Sequence, residues 1–100
     1  MQVDNEPPFV HNAAAKRFEV TVDGKAAFSK YLLVGEKFIV EHTEVPVELE
    51  NKGLASRIVR TALDYARAQN YRVMPLCPFT AAFIHRHPEY QDLVIEGYRY

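Results

Sequence analysis

The sequence contains little that suits an extracellular, membrane-bound or nucleic-acid-binding protein. Cys77 is the single cysteine among 100 residues, so no internal disulfide can form, which favours a reducing compartment and predicts a cytoplasmic protein. No apolar run approaches the roughly 20 residues of a membrane-spanning helix, and the first residues lack the basic and apolar blocks of a signal peptide. The formal net charge of −1 favours neither nucleic acid nor an anionic membrane surface as a partner.

What the sequence does have is enough apolar residues for one small core. Hydrophobic residues make up 48% and charged residues 25% of the chain, as is typical of a globular protein. This length and composition predict one domain over residues 1–100. Residues 1–8 are polar, end in two prolines and are predicted to form a flexible arm.

The first half of the chain alternates apolar and polar residues in the manner of β-strands. We predict strands over residues 16–22, 26–34 and 38–45. Asp23-Gly24 is a hairpin signal between the first two strands, and a second glycine-containing turn precedes the third. This part of the sequence therefore predicts an antiparallel meander.

In the second half the apolar residues follow a helical spacing. Those from Leu54 to Ala66 recur three or four positions apart, which predicts a helix over residues 53–69. A fourth strand is predicted over 71–77 and a short helix over 81–86. The strand-helix-strand crossover makes the third and fourth strands parallel. We therefore predict an α/β fold in which a mixed sheet of about four strands carries the main helix on one face.

Three signals converge at one edge of this predicted sheet. Ligands bind beyond the carboxyl ends of parallel strands, and Val45 and Cys77 both stand at such ends. The long helix begins on the same side, where unpaired N–H groups and the positive end of the dipole can hold a phosphate. Gly53 and Ala55 add little bulk there. The sequence thus predicts a site for a phosphorylated cofactor.

The same residues resemble a known family. Asn51-Lys52-Gly53-Leu54-Ala55 resembles the acyl-CoA-binding motif Gln/Arg-x-x-Gly-x-Gly/Ala of the GNAT acetyltransferase superfamily. Roughly residues 16–94 are similar to its short stand-alone branch, the YjdJ-like N-acetyltransferases. The segments that carry this closer likeness are His42–Pro46, Pro75–Phe79 and Pro88–Tyr90.

This resemblance implies that acetyl-CoA or CoA binds where the third and fourth strands splay apart. Backbone groups of the third strand would pair with the pantetheine arm, amides at the start of the helix would hold the pyrophosphate, and residues after Cys77 would flank the cofactor. The cofactor-binding residues so implied are Glu44, Val45, Asn51, Lys52, Gly53, Leu54, Ala55, Ser56, Phe79, Phe83 and Arg86.

The chain also departs from the family pattern. Glu50 stands where the motif prefers Gln or Arg. Phe83 and Ile84 occupy the region where many relatives carry a tyrosine that protonates the departing thiolate. The two helices that usually follow the first strand and shape the acceptor site are missing. An enclosed acceptor pocket is therefore not expected.

Two residues are candidates for the chemistry itself. Cys77 could accept the acetyl group as a thiolate favoured by the start of the following helix, or it could be a buried structural thiol. His42 could act as a general base on the amine or on Cys77. Glu44 of the same strand face could orient His42 or bind a cationic acceptor, but a solvated edge carboxylate is the more ordinary interpretation of Glu44. Alternatively, His42 could be a structural residue that is half-buried and hydrogen-bonded across the sheet. No residues have the spacing of metal ligands, so no metal is predicted.

These observations and the resemblance together predict a small acetyl-CoA-dependent N-acetyltransferase. The amine acceptor could be a protein, a polyamine or a small metabolite, and it would attack the thioester directly, with His42 or a water as base. An acetyl-Cys77 intermediate is the alternative route. A different class also stays open, namely a CoA-binding or interaction module with little turnover. Exposed sheet edges make either a monomer or a dimer compatible with the sequence.

Overall fold

The computed structural model describes residues 9–100, so the flexible arm predicted over residues 1–8 lies outside the described part. No helix within that part is long and apolar enough to cross a membrane. The elements are, in chain order, β1 (Val10–Asn12), β2 (Arg17–Val22), β3 (Lys25–Val34), β4 (Lys37–Glu44), a 3-10 turn (Val47–Leu49), α1 (Leu54–Ala68), β5 (Arg72–Pro75), α2 (Pro78–Arg86) and a 3-10 segment (Pro88–Leu93).

The five strands form one mixed sheet in the order β1-β2-β3-β4-β5. The first four are antiparallel neighbours, and β5 pairs in parallel with β4. This arrangement confirms the predicted mixed α/β fold. The sheet has one strand more than the approximately four that were predicted. The additional strand is β1, whose three residues pair with Arg17 to Glu19 of β2.

Proline explains two differences in the bounds of the later elements. The fourth predicted strand was expected to reach Cys77, but β5 ends at Pro75, whose ring nitrogen carries no hydrogen to continue the ladder. The short helix was expected from Ala81, but α2 already begins at Pro78. Proline is favoured at the first helical position because its φ angle suits a helix and no N–H is needed there.

The core lies between one face of the sheet and α1. The apolar stripe of α1 is buried, including the fully buried Ile58 and Leu63, against Phe38 of β4 and Val73 of β5. The chain after the 3-10 segment then returns to the sheet, where the Ile95 N–H donates to the Val73 carbonyl at 2.9 Å. This last segment covers the outer edge of β5.

A bulge interrupts the pairing of β3 with β4. Lys30 pairs with His42, whereas the next residue, Tyr31, pairs with Val40. Glu41 is therefore an extra residue on β4 without a partner of its own. Such a bulge reverses which side chains face the core in the rest of the strand.

The consequence of the bulge is visible in the burial of β4. Before it, Val40 faces the core and is 1% exposed. After it, Thr43 lies on the core face and contacts the buried Ser29 of β3. His42 and Glu44 consequently project from the opposite face of the sheet, where both are exposed.

Candidate functional site

The two parallel strands separate at their carboxyl ends. Their last paired residues are Val40 and Pro75, and one further hydrogen bond joins the Cys77 N–H to the Val40 carbonyl at 3.0 Å. Beyond that point β4 continues to Glu44, while the segment after β5 turns into α2. The final residues of β4 therefore have β3 on one side and an open gap on the other.

A cleft of about 560 Å³ lies at this gap, within the usual size range of small-molecule sites. Its walls come from the end of β4, the following loop, and the starts of α1 and α2. The lining residues are Thr43, Glu44, Val45, Leu49, Glu50, Asn51, Gly53, Leu54, Ala55, Ser56 and Phe79. The structure thus brings together the predicted cofactor-binding residues except Lys52, Phe83 and Arg86.

The start of α1 forms one wall of the cleft. The helix spans 15 residues, is capped by no side chain and has no acidic residue in its first turn. Its first hydrogen bond runs from the Arg57 N–H to the Gly53 carbonyl at 3.2 Å, so the N–H groups of the three preceding residues have no helical acceptor. Those donors and the positive dipole end fit an anion such as a diphosphate.

The loop before α1 needs two residues with left-handed backbone angles. Gly53 has φ 74° and Asn51 has φ 66°. Glycine adopts this region without steric cost, and asparagine is one of the few other residues that tolerate it. These two residues therefore turn the chain sharply enough to bring the first amides of α1 to the cleft.

Three predicted cofactor-binding residues lie elsewhere. Phe83 is fully buried and stacks on the ring of His87, with 3.9 Å between ring centroids, so it packs in the core and does not flank the cleft. Arg86 is at the far end of α2, about 12 Å along the helix axis from Pro78 at a rise of 1.5 Å per residue. Lys52 is an exposed loop residue outside the lining.

His42 and Glu44 form a pair on the outer face of β4. The His42 Nε2 lies 3.2 Å from the Glu44 Oε1, and the two side chains are 59% and 61% exposed. The role of Glu44 in orienting His42 stays a prediction, and this contact places the two groups within reach of each other. The histidine is therefore exposed and not half-buried. The bulge at Glu41 places His42 on one face of β4 and Thr43, whose hydroxyl contacts Cys77, on the other.

Cys77 occupies the N-cap position of α2 and is 4% exposed. Burial raises the pKa of its thiol, but backbone and hydroxyl hydrogen bonds of Thr80, the Thr43 hydroxyl and the backbone of Phe79 outweigh that effect, so the pKa lies below its ordinary value. The thiol donates to the Thr43 Oγ1 at 3.6 Å. The surroundings therefore favour the thiolate, the reactive form of cysteine.

Thr43 and Thr80 were not singled out from the sequence. A regular alternation along β4 places Phe38, Val40 and His42 on one face, so Thr43 is expected to point away from the core. Only the bulge turns Thr43 towards Cys77. In residues 9–100 no group of three or more His, Cys, Asp or Glu side chains could hold a metal ion.

Comparison with known proteins agrees with this architecture. The sequence model of a family described as GCN5-related N-acetyl-transferase matches residues 17–93. Protein NATD1 of Bos taurus is 27% identical over 81 residues, which cover 78% of this chain and 72% of that protein. Protein NATD1 of Danio rerio is 23% identical over 90 residues, which cover 85% and 82% of the two chains.

A solved structure has the same fold. The solution structure of a GCN5-like protein from Staphylococcus aureus superposes with a TM-score of 0.71 at 19% identity, and the match covers 92% of this chain and 91% of that one. The family match spans most of the chain, including the sheet from β2 onwards and both helices. The chain therefore belongs to the GCN5-related N-acetyltransferase family.

Proposed function

We propose that this protein is an acetyl-CoA-dependent N-acetyltransferase with an amine acceptor. The observation that carries the proposal is the uncapped start of α1, which lines a cleft whose other wall is the unpaired edge of β4. One wall offers amide donors to a diphosphate, and the other offers strand backbone to an extended chain. CoA contains both a diphosphate and an extended chain, the pantetheine arm.

The residues of the cleft have distinct roles in this proposal. The amides of Leu54, Ala55 and Ser56 hold the diphosphate, and the backbone at Glu44 and Val45 pairs with the pantetheine arm. Phe79 supplies an apolar wall. When bound, acetyl-CoA supplies the acetyl thioester that is transferred.

The His42–Glu44 pair is the proposed base. The Glu44 carboxylate attracts the ammonium form of the acceptor and orients the imidazole, and His42 removes the proton that the amine must lose before or during attack. Backbone N–H groups near Val45 stabilise the charge that develops on the carbonyl oxygen. Because both side chains are exposed, the acceptor approaches from the outer face of the sheet.

A second route uses Cys77, and the lowered pKa of its thiol favours it. The Cys77 thiolate attacks the carbonyl carbon, a sulfur–carbon bond forms, and CoA leaves as a thiolate. The amine then attacks the acetylated Cys77, the same sulfur leaves with the bonding electrons, and the amine proton passes to a base. This route requires Thr43 and its neighbours to admit the thioester to a sulfur that is 4% exposed.

An acetyl-transfer assay tests the proposed function. Acetyl-CoA is supplied with a lysine peptide, a polyamine and a small amine, and acetylated product is measured by mass spectrometry. Removing a general base costs about 10²- to 10⁴-fold, so His42→Gln should lower the rate by at least about 10²-fold. The same substitution at His85, an exposed residue of α2, should leave the rate unchanged. CoA binding without transfer to any amine would instead identify a binding module.

Intact-mass measurement separates the two routes. If Cys77 carries the acetyl group, incubation with acetyl-CoA should add one acetyl mass to the wild type and none to Cys77→Ala. An equal mass increase in both, or no increase in the wild type, would contradict the acetyl-Cys77 route.

A further inference from the structure

We infer that Thr43 positions the Cys77 thiol, and that Thr43 and Ser29 together keep the sulfur hydrogen-bonded whether or not it carries its proton. The importance of this arrangement for turnover rests on the proposed function. The hydrogen-bond chain itself can be tested without acetyl-CoA.

The chain of contacts runs from the core to the wall of the cleft. The Cys77 thiol donates to the Thr43 Oγ1 at 3.6 Å, and the Thr43 hydroxyl donates to the Ser29 Oγ at 3.1 Å. Ser29 is 2% exposed, whereas Thr43 lines the cleft. Thr43 therefore links the buried sulfur to the place proposed for the thioester.

Buried polar residues are concentrated around this sulfur. Ser29 and Thr80 are the two polar residues buried within residues 9–100. Ser29 reaches Cys77 through Thr43, and the Thr80 backbone and hydroxyl act directly on the ionised sulfur. A polar side chain in an apolar core is unfavourable unless it is paired, so their convergence on one sulfur calls for a common explanation.

Reorientation of two hydroxyls supplies that explanation on the β4 side. A hydroxyl has one proton to donate and two lone pairs to accept with. When Cys77 loses its proton to solvent, the sulfur can only accept, so the Thr43 hydroxyl turns towards it. The Ser29 hydroxyl then turns and donates to the Thr43 Oγ1. No heavy atom has to move, and every bond in the chain is kept with its direction reversed.

The α2 side behaves differently, because Thr80 gains a partner only when the sulfur ionises. In the described part of the chain its Oγ1 is buried and has no hydrogen-bond partner while the thiol points to Thr43. A thiolate beside it provides an acceptor for that hydroxyl and for the N–H groups at the start of α2. The groups that act on the sulfur from β4 and α2 are uncharged, so hydrogen bonding stabilises the anion.

Three variants and a titration test the inference. Thr43→Val keeps the shape and removes the hydroxyl, Thr43→Ser keeps the hydroxyl, and Ser29→Ala removes the second member of the chain. Because the chain has a single cysteine, labelling cysteine with ¹³C at Cβ gives one NMR signal whose shift reports the Cys77 thiol pKa. Tyrosine ionisation does not obscure it.

A hydrogen bond to a charged group is worth about one pKa unit or more. Thr43→Val should therefore raise the Cys77 pKa by about one unit, which lowers the thiolate fraction about tenfold at a given pH below that pKa. Thr43→Ser should restore a value near wild type, and Ser29→Ala should give a smaller rise. Thr61→Val, which removes a hydroxyl that bonds to the Arg57 carbonyl on α1, should change nothing.

An unchanged Cys77 pKa in both Thr43→Val and Ser29→Ala would overturn the inference, as would a Thr43→Ser variant that titrates like Thr43→Val. If Thr43→Val does not fold, the Cys77 pKa of Ser29→Ala is compared with that of the wild type, and an unchanged pKa overturns the inference. Failure of the proposed function shows up separately, as absent acetyl transfer in the wild type with the pKa shifts intact.

Discussion

Replacing Gly53 with alanine tests whether the start of α1 holds the diphosphate. Gly53 has φ 74°, and a Cβ at this position would meet no atom of residues 9–100 within 4 Å, its two chain neighbours aside. The substitution therefore causes no clash within the protein, but it strains the backbone and places a methyl group at the cleft. Gly35 is a matched control, because it has φ 61°, equally open surroundings and a position in the β3–β4 turn.

The two variants should lose similar stability. A left-handed conformation costs a non-glycine residue roughly 1–2 kcal/mol, so each variant should unfold more easily by about that amount in thermal or urea denaturation. They should differ in ligand binding. Displacing one charge-assisted hydrogen bond costs about 1.5–3 kcal/mol, so Gly53→Ala should weaken CoA binding by at least about tenfold.

Isothermal titration calorimetry with CoA, run on both variants and the wild type, measures this difference. Gly35→Ala should bind CoA with wild-type affinity. Equal weakening in both variants would mean that affinity follows general stability. Unchanged affinity in Gly53→Ala would refute the assignment of the diphosphate to the start of α1.

Two further predictions concern charge at the cleft and the titration of one histidine. Glu50 lines the cleft, so Glu50→Gln should tighten CoA binding in the same calorimetric assay, and this gain should shrink at high salt because salt already screens the repulsion that the substitution removes; Glu48→Gln, outside the lining, should not tighten binding, and equal effects would count against a local charge effect. Burial lowers the pKa of His11 from its usual 6.5, and the His11 Nε2 is hydrogen-bonded to the Tyr31 hydroxyl at 2.6 Å. The unfolded state then binds this proton more readily, so the free energy of unfolding should fall as the pH drops below about 6.5. Urea denaturation of His11→Phe should lose that part of the pH dependence, and an unaltered slope would contradict the reasoning.

Much of the architecture could be predicted because it depends on short-range patterns. The two-residue period of the first strands and the helical period from Leu54 onwards follow from which side chains must be buried. The turn before α1 could be predicted from small or adaptable residues, and the structure does use left-handed angles at Asn51 and Gly53. Shared ends of parallel strands then placed the cleft near Val45.

The position of Phe83 could not be predicted from its neighbours. An aromatic residue in a short amphipathic helix fits either a ligand wall or the core. The choice depended on how α2 packs against α1 and the 3-10 segment, where Phe83 is fully buried and its ring contacts that of Tyr90. Phe79, one helical turn earlier, lines the cleft instead.

The sequence by itself determined the fold class, the start of α1 and the place of the cleft, because these depend on periodicity and local backbone preference. Only the tertiary structure decided which face of β4 carries which chemistry. The bulge at Glu41 exists because β3 and β4 pair around it, and the pairing of two strands is not encoded in the residues of either strand alone. That one extra residue puts His42 with Glu44 on the outer face and turns Thr43 towards Cys77.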